Sequence, residues 1–174
     1  AKAFAGTTCN DIVFENPQIK YRVDSFVGSV WFEGNIGNHP FCMIGEMLFR
    51  CRMNQPICTL PDNVRDFDDY AFKDCSELKH IISPIEIPVK CDHYCGIHQL
   101  FDIIKKYTIT QLKTRLNLND LRRMNALEWF EIQEDLYGQY CTIDGVLFSK
   151  DKTKLVYYPK GRKDFFYRIP DGTE

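Results

Sequence analysis

The chain has 174 residues, 44% of them hydrophobic, which is enough to bury a substantial core in one or two domains. Its net charge of −2 leaves no broad basic face and argues against nucleic acid as a partner. No apolar run approaches the roughly 18 residues of a membrane span, and the opening "AKAFAGTTCNDI" has no hydrophobic signal-peptide core.

Taken from the N-terminus, the chain carries an aromatic rhythm. Phe4, Phe26, Phe49 and Phe72 follow one another at spacings of 22, 23 and 23 residues. The same ruler places Phe41 and Val64 fifteen residues past their anchors, and Ile44 and Phe67 eighteen past. Ile19 and Tyr21 fill these slots in the shorter first unit. Cys75, Leu78 and Ile81 lie three, six and nine past Phe72. Self-similarity at such a period predicts stacked units, since one unit cannot cover its own apolar face. Each unit is expected to supply one short strand, for example residues 78–83. There Leu78, Ile81 and Ser83 point inward while His80 and Ile82 point out.

Residues 91–120 break the spacing. Cys95 takes the anchor slot, with His98, Phe101 and Ile104 at plus three, six and nine, and the next anchor, Leu121, lies 26 residues on. This unit therefore holds about three extra residues on the period of the others. "ITQLKTRLNLNDLRRM" (109–124) has helical spacing and is expected to form a longer helix there.

The opening "AFAG", the stretch "LPDNVRDFDDYAFKDCSELKHI" (60–81) and the C-terminal "IDGVLFSKDKTKLVYYPKGRKDFFYRIPDG" (143–172) together resemble the BspA-type leucine-rich repeat family. The likeness covers residues 1–90 and 121–174. It implies an α/β leucine-rich-repeat solenoid, one domain over 1–174. This would be a right-handed curved coil with a parallel sheet on the concave face and short helical or irregular arcs on the convex face. A hairpin-like insert would occupy about 143–168. It further implies a secreted or cell-surface bacterial protein, engaged in adhesion and binding protein or glycan. Repeat ends without polar caps would favour end-to-end self-association.

On that register the outward rows form the candidate binding face. One row holds Ile57, His80, Ile103 and Trp129; the next holds Ile82, Lys105 and Glu131. Ile57, Ile82, Ile103 and Trp129 would make an apolar patch of the kind that marks interaction sites, with Trp129 as the principal anchor. A structural spacer in a larger surface protein is the alternative. "CDHYCGIH" gathers Cys91, His93, Cys95 and His98, ligand types suited to zinc, in an unfamiliar spacing. It supports only a weaker alternative of a zinc-stapled domain, and no cofactor is expected. No G-x-S-x-G, phosphate-cradling glycine loop or H-E-x-x-H is present, so a non-enzymatic role is expected. The basic, aromatic stretch 157–168 is expected to be a solvated turn. The cysteines of the repeat, Cys75 among them, are expected to be buried free thiols.

Overall fold

The computed structural model of the chain describes residues 3–13, 15, 25–88 and 96–174. In chain order the elements are α1 (Val30–Asn38), β1 (Phe41–Ile44), β2 (Met47–Cys51), β3 (Ile57–Thr59), β4 (Asp66–Phe67) and β5 (His80–Ser83). They continue with α2 (Gly96–Ile103), β6 (Lys106–Leu112), α3 (Leu118–Arg123), β7 (Trp129–Asp135), β8 (Tyr140–Ile143), β9 (Val146–Ser149) and β10 (Leu155–Tyr157).

These strands form three separate sheets, and this overturns the expected solenoid. β1, β2 and β4 make a mixed sheet, with β1 antiparallel and β4 parallel to β2. β3, β5, β6 and β7 make an all-parallel sheet, and β8, β9 and β10 an antiparallel meander. A continuous coil would carry all its strands in one parallel ladder. The chain instead reverses into antiparallel pairs at three places, two of them two-residue turns. At Gly45 (φ +58) a two-residue turn pairs Ile44 with Met47. Asp144 (φ +50) and Gly145 (φ +76) form a second such turn, pairing Ile143 with Val146. Positive φ at these positions matches the twist of antiparallel hairpins and closes them locally. Apolar spacing is blind to this choice, because parallel and antiparallel strands both send alternate side chains to one face.

The parallel sheet is built on burial. Its inward row is Cys58, Ile81, Tyr107 and Phe130, paired in register and at most 1% exposed. Tyr107 meets Phe130 with ring centroids 5.6 Å apart. The Tyr107 hydroxyl accepts from Ile87 N (2.8 Å) and donates to Ile85 O (3.4 Å), so its polar end is satisfied inside the core. The anchors Phe72 and Leu121 join this core, whereas Phe26 and Phe49 centre a smaller cluster with Phe32, Cys42 and Ile44. Phe4 stacks on Phe26 at 5.6 Å and is partly exposed.

Two further expectations are corrected here. The segment 109–124 is not one helix: β6 runs through Leu112, and α3 covers only Leu118–Arg123, capped by the Asn117 side chain. A β-branched run, Thr108-Ile109-Thr110, paired on both sides by neighbouring strands, outweighs the helical spacing. The register of the irregular unit also shifts. Ile103 ends α2 and Lys105 lies in the following connection, so neither occupies a strand row. Lys106 and Thr108, three residues later, pair with His80 and Ile82 instead. The three extra residues lie before the strand, in α2 and its connection, not after it.

Candidate functional site

The outward face of the parallel sheet carries two rows. Ile57, His80, Lys106 and Trp129 form the first, and Thr59, Ile82, Thr108 and Glu131 the second. Ile57 is 57% exposed and Trp129 37%, while His80, Ile82 and Glu131 are half-buried. The structure thus brings Ile57, His80, Ile82, Trp129 and Glu131 onto one face. Ile103, half-buried in α2, and Lys105, exposed in the adjoining connection, stand off the rows. His80 Nε2 lies 3.0 Å from Thr108 Oγ1. Burial, and then the neighbouring Lys106, holds the imidazole below its ordinary value, which favours its neutral form.

Trp129 is placed from beneath by the turn of the meander. A methyl group on Gly145 would fall 2.5 Å from Trp129 Cδ2, so the indole lies directly against the bare turn backbone. Phe130 N donates to Gly145 O (3.0 Å) and fixes the same approach. Beyond β10, residues 158–168 form an irregular strap that returns toward β7. Gly161 N donates to Leu127 O (2.8 Å), and a side chain there would run into the Ala126 carbonyl. The strap delivers Arg162, whose guanidinium sits 6.0 Å from the Trp129 ring, 5.3 Å from Tyr158 and 5.2 Å from Tyr167. Its Nε donates to Asp164 Oδ2 (2.6 Å), and Nη1 donates to the Asp144 carbonyl. With a side chain only 10% exposed, Arg162 is a pin between strap, turn and indole. The segment expected to be a solvated turn is therefore part of the site.

Together these elements line an open cavity of about 520 Å³, with Lys105, Lys106, Glu128, Trp129, Arg162, Lys163 and Asp164 on its walls. Lys106 Nζ lies 5.4 Å above the indole and 3.3 Å from Glu131 Oε2. Lys105 is paired with Glu128 at 2.9 Å. Thr110 and Gln133 extend the outward alternation of β6 and β7. They line a second cavity of about 580 Å³ with Asp62, Arg65, Pro84, Gln111, Lys113 and Glu134.

Sequence reasoning missed Lys106, Arg162 and Lys163. Lys106 was hidden by the three-residue shift. The other two sit beside Gly161 in a stretch whose mixture of cations and aromatic rings was the available signal.

Among the described residues the cysteines are free thiols, buried or half-buried. Cys51, Cys58 and Cys75 are buried thiols, with Cys51 and Cys58 sulfurs 3.9 Å apart and Cys75 Sγ donating to Cys51 O (3.3 Å). Hydrogen bonding to the Cys51 sulfur, followed by burial, pushes the Cys58 and Cys75 thiols up, and they stay protonated. Burial likewise pushes Cys42 up to about 11. Cys91, His93 and Cys95 lie outside the described residues, and His98 is half-buried on α2. Among the described residues no three His, Cys, Asp or Glu side chains are grouped to hold a metal ion. No helix among them is long and apolar enough to cross a membrane. Comparison with models of known families, with curated proteins and with solved structures gives no match to this chain.

Proposed function

We propose that this chain is a non-enzymatic recognition module, seating an extended protein segment or glycan across the outward face of its parallel sheet, with Trp129 as the anchor. The observation that carries this reading is the half-exposed indole in an open cavity on that face. Parallel sheets ordinarily have both faces covered; here one bears two cavities and the exposed side chains of Ile57 and Trp129. A tryptophan held from below by the Gly145 turn and more than a third exposed presents a preordered contact area, the usual character of an interface hot spot. The setting of a secreted or cell-surface adhesion protein rests on the motif resemblance alone.

Trp129→Ala and Ile82→Asp, each checked for an unchanged fold by circular dichroism, test the face against arrays of glycans and extracellular proteins. Trp129→Ala is expected to weaken capture by about thirtyfold, the size of a hot-spot truncation. Unchanged capture in both variants would show that the face is not the binding surface.

A further inference from the structure

Resting on that reading of the face, we propose that its ligand is an acidic oligosaccharide: a carboxylate-bearing sugar at the Trp129 cavity, followed by hydroxyl-rich sugar at the second cavity. Charge points to the acid. Lys105, Lys106, Arg162 and Lys163 line the first cavity with Glu128 and Asp164, and Glu131 pairs with Lys106 beside it, leaving one positive charge in excess. The chain as a whole is negative, so this is a local arrangement and not the average surface. Internal contacts divide the four cations. Arg162 is committed to Asp164, the Asp144 carbonyl and three rings, and Lys105 to Glu128. Lys106 shares its charge between Glu131 and the indole, while Lys163 is exposed and makes no ion pair with any described residue. Lys163 is therefore the group with charge to offer a ligand.

The rest of the face points to a sugar. The Gly145 turn covers the indole from one side and Lys106 Nζ stands 5.4 Å from the ring, leaving a part-exposed, electron-rich aromatic surface that attracts polarised C–H groups such as those of a pyranose. The second cavity is balanced in charge, Asp62 and Glu134 against Arg65 and Lys113, and presents Thr110, Gln111 and Gln133. Their hydroxyl and amide groups both donate and accept, as sugar hydroxyls require. From Lys106 to Thr110 along β6 is about 13 Å, at roughly 3.3 Å per residue, so one short oligomer reaches both cavities. A peptide fits less well. Its backbone N–H and C=O groups would need partners, and those of β5 and β6 beneath the face are already used in the ladder on both sides.

The test is isothermal titration calorimetry of the intact chain with tetragalacturonate, its neutral methyl ester and poly-glutamate. Tetragalacturonate is expected to bind saturably, more weakly as salt is raised. Lys163→Glu, an exposed change that leaves the core untouched, is expected to weaken it about five- to tenfold. Equal binding of the methyl ester would overturn the requirement for an acid, and equal binding of poly-glutamate would overturn the assignment to a sugar. A neutral oligosaccharide that binds only when Trp129 is present would sink the acidic assignment while leaving the recognition face standing. Binding of tetragalacturonate that survives Trp129→Ala unchanged would remove the face itself.

Discussion

The parallel sheet and the antiparallel meander are neighbours that share β7 as a boundary, yet they are held by different means. In the parallel sheet the paired positions Ile57, His80, Lys106 and Trp129 stand 23, 26 and 23 residues apart, so every pairing requires a long excursion of chain. Only the shared inward row can repay that ordering, and the sheet is expected to fail as a unit. In the meander, β8 and β9 meet across two turn residues, and the conformation of that turn decides the pairing. One region is closed by burial, the other by turn chemistry. The site lies where they meet: β7 contributes the indole, the turn supports it, and the strap following the meander pins it.

Three changes would break or sharpen this contrast. The largest effect is expected from Phe130→Ala in the inward row, where the side chain is fully buried and packed on Tyr107. Cavity formation there should cost about 3–5 kcal/mol. Chemical denaturation followed by far-ultraviolet circular dichroism should show a single lowered transition; a loss below about 1 kcal/mol would deny that this row holds the sheet.

Gly145→Ala should cost somewhat less, about 2–3 kcal/mol, from positive φ together with the clash against Trp129. Its effect should be local, shifting tryptophan emission before global unfolding. A variant whose Trp129 signal matches the parent would contradict the support assigned to the turn.

The smallest effect belongs to the loop after β5. Burial, and to a lesser degree repulsion from Asp120, pushes Glu86 up to about 7, although its Oε1 accepts from Asn117 N at 2.9 Å. Because its folded value lies above the unfolded one, the folded state binds the extra proton. The stabilisation is complete below about pH 4.5 and is lost as pH rises through about 7. With partial exposure, the change is on the order of 2 kcal/mol. Glu86→Gln should flatten this slope and exceed the parent in stability above neutral pH. An unaltered pH profile would place the titration elsewhere.

Much of the parallel region was legible in the sequence. Ile81 and Ser83 are buried and His80 and Ile82 half-buried outward, as the alternation around residues 78–83 predicts. The aromatic anchors Phe26, Phe49 and Phe72 are buried too. What spacing failed to show was direction and register. Gly45 turns the chain back on itself, and the extra residues before β6 move Lys106 into the slot expected for Ile103, whereas the reversal at Asp144-Gly145 falls where the motif resemblance implied a hairpin-like insert. Within the candidate site, Trp129 was legible because it falls on the strand row. Arg162 and Lys163 were not, because their position depends on the strap crossing back to Ala126 and Leu127.

By itself, the sequence determined which side chains are buried and which alternate outward along β5, because burial and a period of two are local properties of the chain. Only the tertiary structure decided that the strands divide among three sheets and that a C-terminal cation is clamped on a tryptophan 33 positions earlier. Those outcomes depend on turn geometry and on close backbone approaches at Gly145 and Gly161. No hydrophobic pattern encodes them, since they are set by where two distant pieces of backbone meet.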